Sequence, residues 1–331
     1  MTSEATRRAR AFVAEHLPEA RGLGQALADL IDDPETFTAV LRDGLALLAD
    51  PDYATEQERV APGSGTVYGV RWPLIDAVAG QLRQPLRESS PASALWLAQR
   101  LAAGDEREVR LFSHVPLRRS LADDPERSWQ LMRRLARLAT DWISVDTLAD
   151  LFAKGVFAEP FRWAELEQLV YSEHRWERRL VGSTLARLPY QLRPGERTQL
   201  RQLRALSVIS SLLGDDDEQV QKALSWALRE WAHVDQPGVA ELLQREARVA
   251  AQADDGHRAW VIRDALPAVA GPLASEIREV LRGVRRRADA QSTSSASAVA
   301  AAFRSAADLQ ALSERAAALQ GERQRLARRG A

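Results

Sequence analysis

Two residues near the middle of the chain carry a chemical suggestion. In Thr140-Asp141-Trp142-Ile143-Ser144-Val145-Asp146, an indole and a carboxylate stand four residues apart where an otherwise apolar helix begins. Residues i and i+4 share a helical face, so both side chains point the same way. An aromatic wall beside an acid can hold a cationic or planar ligand. Taken alone, the pair reads first as a core tryptophan and a carboxylate favoured by a helix N-terminus. Nine tryptophans are present, and most should anchor a core.

Other catalytic equipment is sparse. The absence of cysteine excludes disulfides, thiolate zinc sites, cysteine-ligated iron–sulfur clusters and a thiol nucleophile. His16, His114, His174, His233 and His257 show no ligand spacing, so neither a metal nor another cofactor is expected. Lys154 and Lys222 are the only lysines, and arginine supplies the remaining positive charge. The formal net charge is −1, so a surface for a polyanion must arise from local segregation of charge. No long apolar run follows the N-terminus, and the expectation is a cytoplasmic protein without a signal peptide or membrane span.

The elements that must position these residues are helical. Leu, Ala and Val recur at three- and four-residue spacing, and alternating β-branched runs are missing. The expected helices span 4–16, 20–31 and 35–49, with breaks at Pro18 and Pro34, then a loop over 50–66. A helix from Pro73 to Leu82 follows. Further segments fall at 93–103, 106–120, 124–139, 143–153, 160–171, 173–187, 195–212, 216–233, 236–248, 253–269 and 271–284. Taken in pairs they recur every roughly 35–45 residues, which predicts an all-α, HEAT-like α-α superhelix. Such a solenoid curves and offers a concave face to an extended ligand.

Charge changes along this stack. Residues 1–60 hold twelve Asp/Glu against six Arg, so that end should repel phosphate. Between Tyr171 and Arg204 stand Arg175, Arg178, Arg179, Arg187, Arg193, Arg197, Arg201 and Arg204, against only Glu173, Glu177 and Glu196. That imbalance reads either as a solvated face or as a phosphate-binding strip. The expected organisation is 1–55 as acidic helices opening the solenoid, 56–284 as its main domain, 285–298 as a Ser/Thr-rich linker and 299–331 as a helical tail.

Three local patterns together resemble one family, the AlkD-type HEAT-repeat DNA glycosylases. Trp142-Ile143-Ser144-Val145-Asp146 resembles the family's Trp-x-x-Val-Asp segment. Trp176-Glu177-Arg178-Arg179 resembles its Trp-x-x-Arg segment. Lys222-Ala223-Leu224-Ser225-Trp226-Ala227-Leu228-Arg229-Glu230-Trp231 is similar to its Lys-Ala-x-x-Trp-x-Leu-Arg-Glu-aromatic helix. The resemblance covers about residues 60–270. It implies that Asp146 is the essential carboxylate, that Trp142 and Trp226 are the site's aromatic walls, and that Arg179 holds a backbone phosphate. Trp176, Arg178, Lys222 and Arg229 would line the DNA beside them.

The activity this resemblance implies is excision of cationic N3- or N7-alkylated purines from double-stranded DNA, by a monomer that does not flip the base into a pocket. The chemistry is consistent with one carboxylate. A charge fixed at about 4 Å from a developing oxocarbenium interacts by roughly 4 kcal/mol at an effective dielectric of 20. Half of that, confined to the transition state, exceeds a tenfold gain in rate. A cationic base leaves without a protonating acid. Lys222 matches no Schiff-base lysine of the family and Lys154 is isolated, so the expected product is an abasic site rather than a nicked strand. An open site would also admit bulky adducts, as in relatives that protect antibiotic producers from their own alkylating compounds. The competing readings are a non-catalytic HEAT module that binds DNA structures and a protein scaffold.

Overall fold

The computed structural model describes residues 4–191, 199–287 and 289–304. Among these residues the regular elements are helical, apart from an isolated bridge between Thr66 and Glu106. No described helix is long and apolar enough to cross a membrane. The helices are α1 (Glu4–Ala28), α2 (Pro34–Leu47), α3 (Pro51–Val60), α4 (Trp72–Glu88), α5 (Pro91–Ala102), α6 (Arg107–Phe112), α7 (His114–Asp123) and α8 (Pro125–Leu138). They continue as α9 (Trp142–Ala158), α10 (Arg162–Gln168), α11 (Arg175–Arg187), α12 (Gln199–Leu212), α13 (Glu218–Ala232), α14 (Gln236–Ala253), α15 (Gly256–Ala265), α16 (Gly271–Val280) and α17 (Ser295–Arg304).

The chain is an all-α solenoid. One layer is formed by α4, α7, α9, α11, α13 and α15, each packed on the next. Helices α5, α8, α12 and α14 cover it from behind. Polar side chains repeat the same spacing. Arg162 reaches Glu126 36 residues back, Arg178 reaches Asp215 37 ahead, Arg204 reaches Glu167 37 back and Arg229 reaches Asp264 35 ahead. Each bond joins a helix to the next unit of the stack, at a helix or at the turn that precedes one, which is how a repeating stack satisfies charges at its seams.

Several expectations are corrected. Pro18 does not break the first helix, because α1 runs through it. Ala14, whose carbonyl proline cannot bond, is an exposed residue, and a helix tolerates an unbonded carbonyl best on its solvent side. Residues 50–66 are not all loop. Asp50 accepts from the Tyr53 amide at 3.2 Å and Pro51 takes the first helical position, so Asp-Pro opens α3 instead of marking a turn. The segment 106–120 is split at Ser113, where Pro116 cannot bond the carbonyl of Phe112. The described residues of the 285–298 segment are bonded to the stack. Thr293 N donates to the Gly214 carbonyl at 2.9 Å, Ser294 is fully buried, and α17 already begins at Ser295. The tail beyond Arg304 lies outside the described residues.

The acidic N-terminal helices share a core with the next elements. Leu27 of α1 and Phe37, Leu41 and Leu45 of α2 are buried with Leu74, Val78 and Leu82 of α4. A second core runs from α5 to α17 and contains Trp129, Trp163 and Trp231. Trp231 is fully buried and donates to the Leu185 carbonyl at 2.9 Å, tying α13 to α11.

Candidate active site

Asp141 starts α9. Its carboxylate accepts the Ser144 amide at 2.9 Å and the Ser144 hydroxyl at 2.8 Å, a side-chain cap on the first turn. Arg110 approaches the same carboxylate at 3.3 Å from α6. The cap fixes where Trp142 and Asp146 emerge, one turn apart. The indole of Trp142 is further held by its Nε1, which donates to the Val60 carbonyl at 3.2 Å.

Helix α11 supplies the opposite side. It lies so close to α13 that a Cβ on Gly182 would meet Ala223 Cβ at 2.8 Å. Glycine here permits the approach, and the neighbours on its helix then face α9. Arg179 Nε donates to Asp146 Oδ1 at 3.1 Å, and Nη2 donates to Oδ2 at 2.7 Å. Ser183 Oγ donates to Oδ1 at 2.6 Å. The remaining Arg179 nitrogen, Nη1, donates to the Gln219 carbonyl at 2.7 Å. The guanidinium carbon sits 5.6 Å from the centre of the Trp142 ring, within cation–π range. The Asp146 side chain keeps 16% of its exposure and Arg179 only 6%, so solvent reaches the carboxylate more readily than the cation. Among the described residues Oδ2 has a single donor, which leaves it able to accept another.

A second carboxylate, Asp150, follows one turn along α9. Burial would raise its carboxyl, yet Lys154 and Arg118, with Arg187 beyond them, hold it below the ordinary range. Trp226 belongs to α13. Its Nε1 donates to Glu230 Oε1 at 2.9 Å, and Arg187 covers its ring at 5.1 Å. Trp226 therefore meets α11 one turn beyond Ser183, the residue bonded to Asp146.

The structure thus joins Trp142, Asp146 and Arg179 directly, and brings Trp226 to the same helix of contact. The other candidates lie apart. Trp176 is partly buried against the core with Arg175 over its ring at 4.8 Å. Arg178 is paired with buried Asp215 at 2.7 Å and also donates to the carbonyls of Ser172 and Glu173. Lys222 is exposed and paired with Glu218 on its own helix. Arg229 is bonded to Asp264, whose carboxyl burial would raise but Ser225 and Arg229 lower. Arg193 and Arg197 of the basic strip fall outside the described residues.

Ser183, Gln219 and Arg187 escaped the sequence reading as individual contributors. Ser183 and Arg187 follow Arg179 at four and eight residues, the helical spacing that places them in one row. A second group also went unnoticed. Arg83 and Arg87 of α4 with Arg118 and Arg119 of α7 line a groove of about 500 Å³ that also contains Asp76 and His114.

An all-helical stack with a carboxylate clamped between an indole and an arginine fork defines the class of this site. The chain belongs to the family of DNA alkylation repair enzymes, whose sequence model matches residues 41–268. A solved structure described as a "Predicted DNA alkylation repair enzyme from Enterococcus faecalis" is 18% identical, with a TM-score of 0.49, over 72% of this chain and 98% of that one. No curated protein matches the chain.

Proposed function

We propose that this member of the family is a monofunctional DNA glycosylase that removes cationic N3- or N7-alkylated purines from duplex DNA and leaves an abasic site. The observation that carries the reading is Asp146, partly exposed and fixed by Arg179 and Ser183 beside Trp142. The bond between C1′ and the purine nitrogen breaks, and its electron pair neutralises the cationic base. Asp146 stabilises the oxocarbenium left on the sugar, because its orientation is paid for in the folded state. Water then bonds to C1′ and gives up a proton, with the unoccupied side of Oδ2 placed to orient that water. Trp142 and Trp226 present ring faces to the same positive charge. Arg179 offsets part of the carboxylate's field, so the gain falls below the roughly 4 kcal/mol of a lone charge at 4 Å.

In this reading the base is not drawn into an enclosed pocket, and selectivity follows the weakness of the glycosidic bond in a cationic nucleotide. Trp176, Arg178, Lys222 and Arg229 contact the DNA, the paired cations exchanging carboxylate for phosphate. The protein acts as a monomer in the cytoplasm, and an open site extends its range to bulky adducts of the kind an antibiotic producer must repair. The internal pairing of Arg178 and Arg229 is the observation that favours a non-catalytic scaffold instead. Incubation with methylated duplex DNA tests between them: the glycosylase frees 7-methylguanine or 3-methyladenine, and the scaffold frees neither.

A further inference from the structure

Most arginines of the basic strip with a described side chain meet a carboxylate. Arg175 meets Asp217, Arg178 meets Asp215, Arg179 meets Asp146 and Arg204 meets Glu167. Arg187 meets none within ion-pair distance among the described residues, although Asp150 is near enough to feel its charge. Its Nε is buried and has no hydrogen-bond partner. A buried arginine nitrogen without a partner is a cost to folding, and it sets Arg187 apart from its paired neighbours in the strip. The guanidinium lies on the ring of Trp226, two turns along α11 from Arg179. The indole beneath it is held by Glu230, which Tyr190 also bonds. The support is therefore rigid while the donor edge is unspent.

We propose that Arg187 is the arginine that binds a backbone phosphate of the DNA strand beside Trp226, and that Arg179 is a positioning residue for Asp146. The inference rests on the glycosylase reading for its ligand. Arg179 spends four of its five N–H donors, two on Asp146 and two on Gln219, and has no free fork. A phosphate taken by Arg179 in a two-point fork would break bonds that fix the carboxylate or its support. Arg187 loses no hydrogen bond when it accepts one. Among the described residues its terminal nitrogens make no hydrogen bond, and their planar pair matches two phosphate oxygens in front of the buried Nε. One arginine then anchors the strand while the other keeps the carboxylate aimed.

The test is the salt dependence of binding to a duplex carrying a tetrahydrofuran abasic analogue, for wild type, Arg187→Gln, Arg187→Lys, Arg179→Gln and, on the exposed face of α16, Arg278→Gln. Arg187→Gln should reduce the slope of log affinity against log salt by about 0.9, the value of one phosphate contact. Arg187→Lys should restore it, which a purely structural role for the stacked guanidinium would not. Arg179→Gln should keep the wild-type slope and lower kcat more than it raises KM, and Arg278→Gln should change neither. Inorganic phosphate at matched ionic strength should weaken wild-type binding more than chloride does, and lose that advantage in Arg187→Gln; an equal advantage in both proteins contradicts the assignment. An unchanged slope in natively folded Arg187→Gln, with wild type excising bases normally, overturns the inference and leaves the glycosylase reading standing. A slope lost in Arg187→Gln, in a protein that excises nothing, supports the inference and removes that reading. Should Arg187→Gln fail to fold, a slope in Arg179→Gln reduced by one contact overturns the assignment by itself.

Discussion

Arg179 holds Asp146 by two edges of one guanidinium, Nε on Oδ1 at 3.1 Å and Nη2 on Oδ2 at 2.7 Å, across a helix seam that spans 33 residues of sequence. The pair is mostly shielded, so removing one member strands the other. Arg179→Gln is expected to destabilise the fold by about 3 kcal/mol, since an uncompensated, largely buried carboxylate remains. Asp146→Asn should cost less, because the amide oxygen still accepts from Ser183. A double-mutant cycle in urea should give a coupling of at least about 1 kcal/mol. Additive effects would mean that the two residues do not act as a unit.

The close packing of α11 on α13 makes a second prediction. Gly182→Ala places a methyl 2.8 Å from Ala223 Cβ and 3.0 Å from its carbonyl carbon. Backbone cannot yield as a side chain can, so a loss of about 1–3 kcal/mol is expected. Ala223→Gly in the same chain should recover part of it by removing the methyl contact. Absence of any recovery in denaturant melts would place the strain elsewhere.

His114 sets a pH dependence. Burial lowers its basicity below the ordinary 6.5, although its bond to the Leu111 carbonyl acts the other way. The unfolded chain therefore binds a proton more readily than the folded one. Stability from neutral His114 is complete above pH 6.5 and is lost as pH falls below it, by up to about 1.4 kcal/mol per pH unit. Denaturation at pH 7.5 and 5.5 should show a steeper loss for wild type than for His114→Asn. Equal losses would exclude His114 as the source.

Trp142 couples the N-terminal half to the site, through its bond to Val60 and its ring under Arg179. Trp142→Phe retains a ring face and loses the hydrogen bond, whereas Trp142→Ala loses both. With cation–π contacts worth about 1–2 kcal/mol when desolvated, excision by Trp142→Ala should fall about tenfold or more in kcat/KM, and Trp142→Phe should fall less. Equal defects would assign Trp142 to packing alone.

How far the sequence disclosed this arrangement differs by residue. Trp142 and Asp146 were legible because a single helix places i and i+4 on one face, and the repeat period was legible because apolar spacing recurs. The state of the arginines was not. Counted locally, the 171–204 strip has few acids, but its acids stand one repeat away, at Asp146, Glu167, Asp215 and Asp217. Arg175, Arg178, Arg179 and Arg204 therefore look like part of a cationic run until the helices are stacked. Asp50-Pro51, inside the expected 50–66 loop, is ambiguous for a similar reason: the same dipeptide opens a helix or closes a turn, and only the following contacts choose. Ser183 and Arg187 carry no signature beyond their spacing from Arg179.

The central claim is that the clamped carboxylate performs glycosidic bond cleavage. Release of 7-methylguanine from methylated duplex DNA should be measured for wild type and Asp146→Asn under single-turnover conditions, with folding and DNA binding checked for both. Wild type should release the base, and Asp146→Asn should be slower by roughly thirtyfold, about 2 kcal/mol of lost transition-state stabilisation. Equal release by the two proteins would contradict the account.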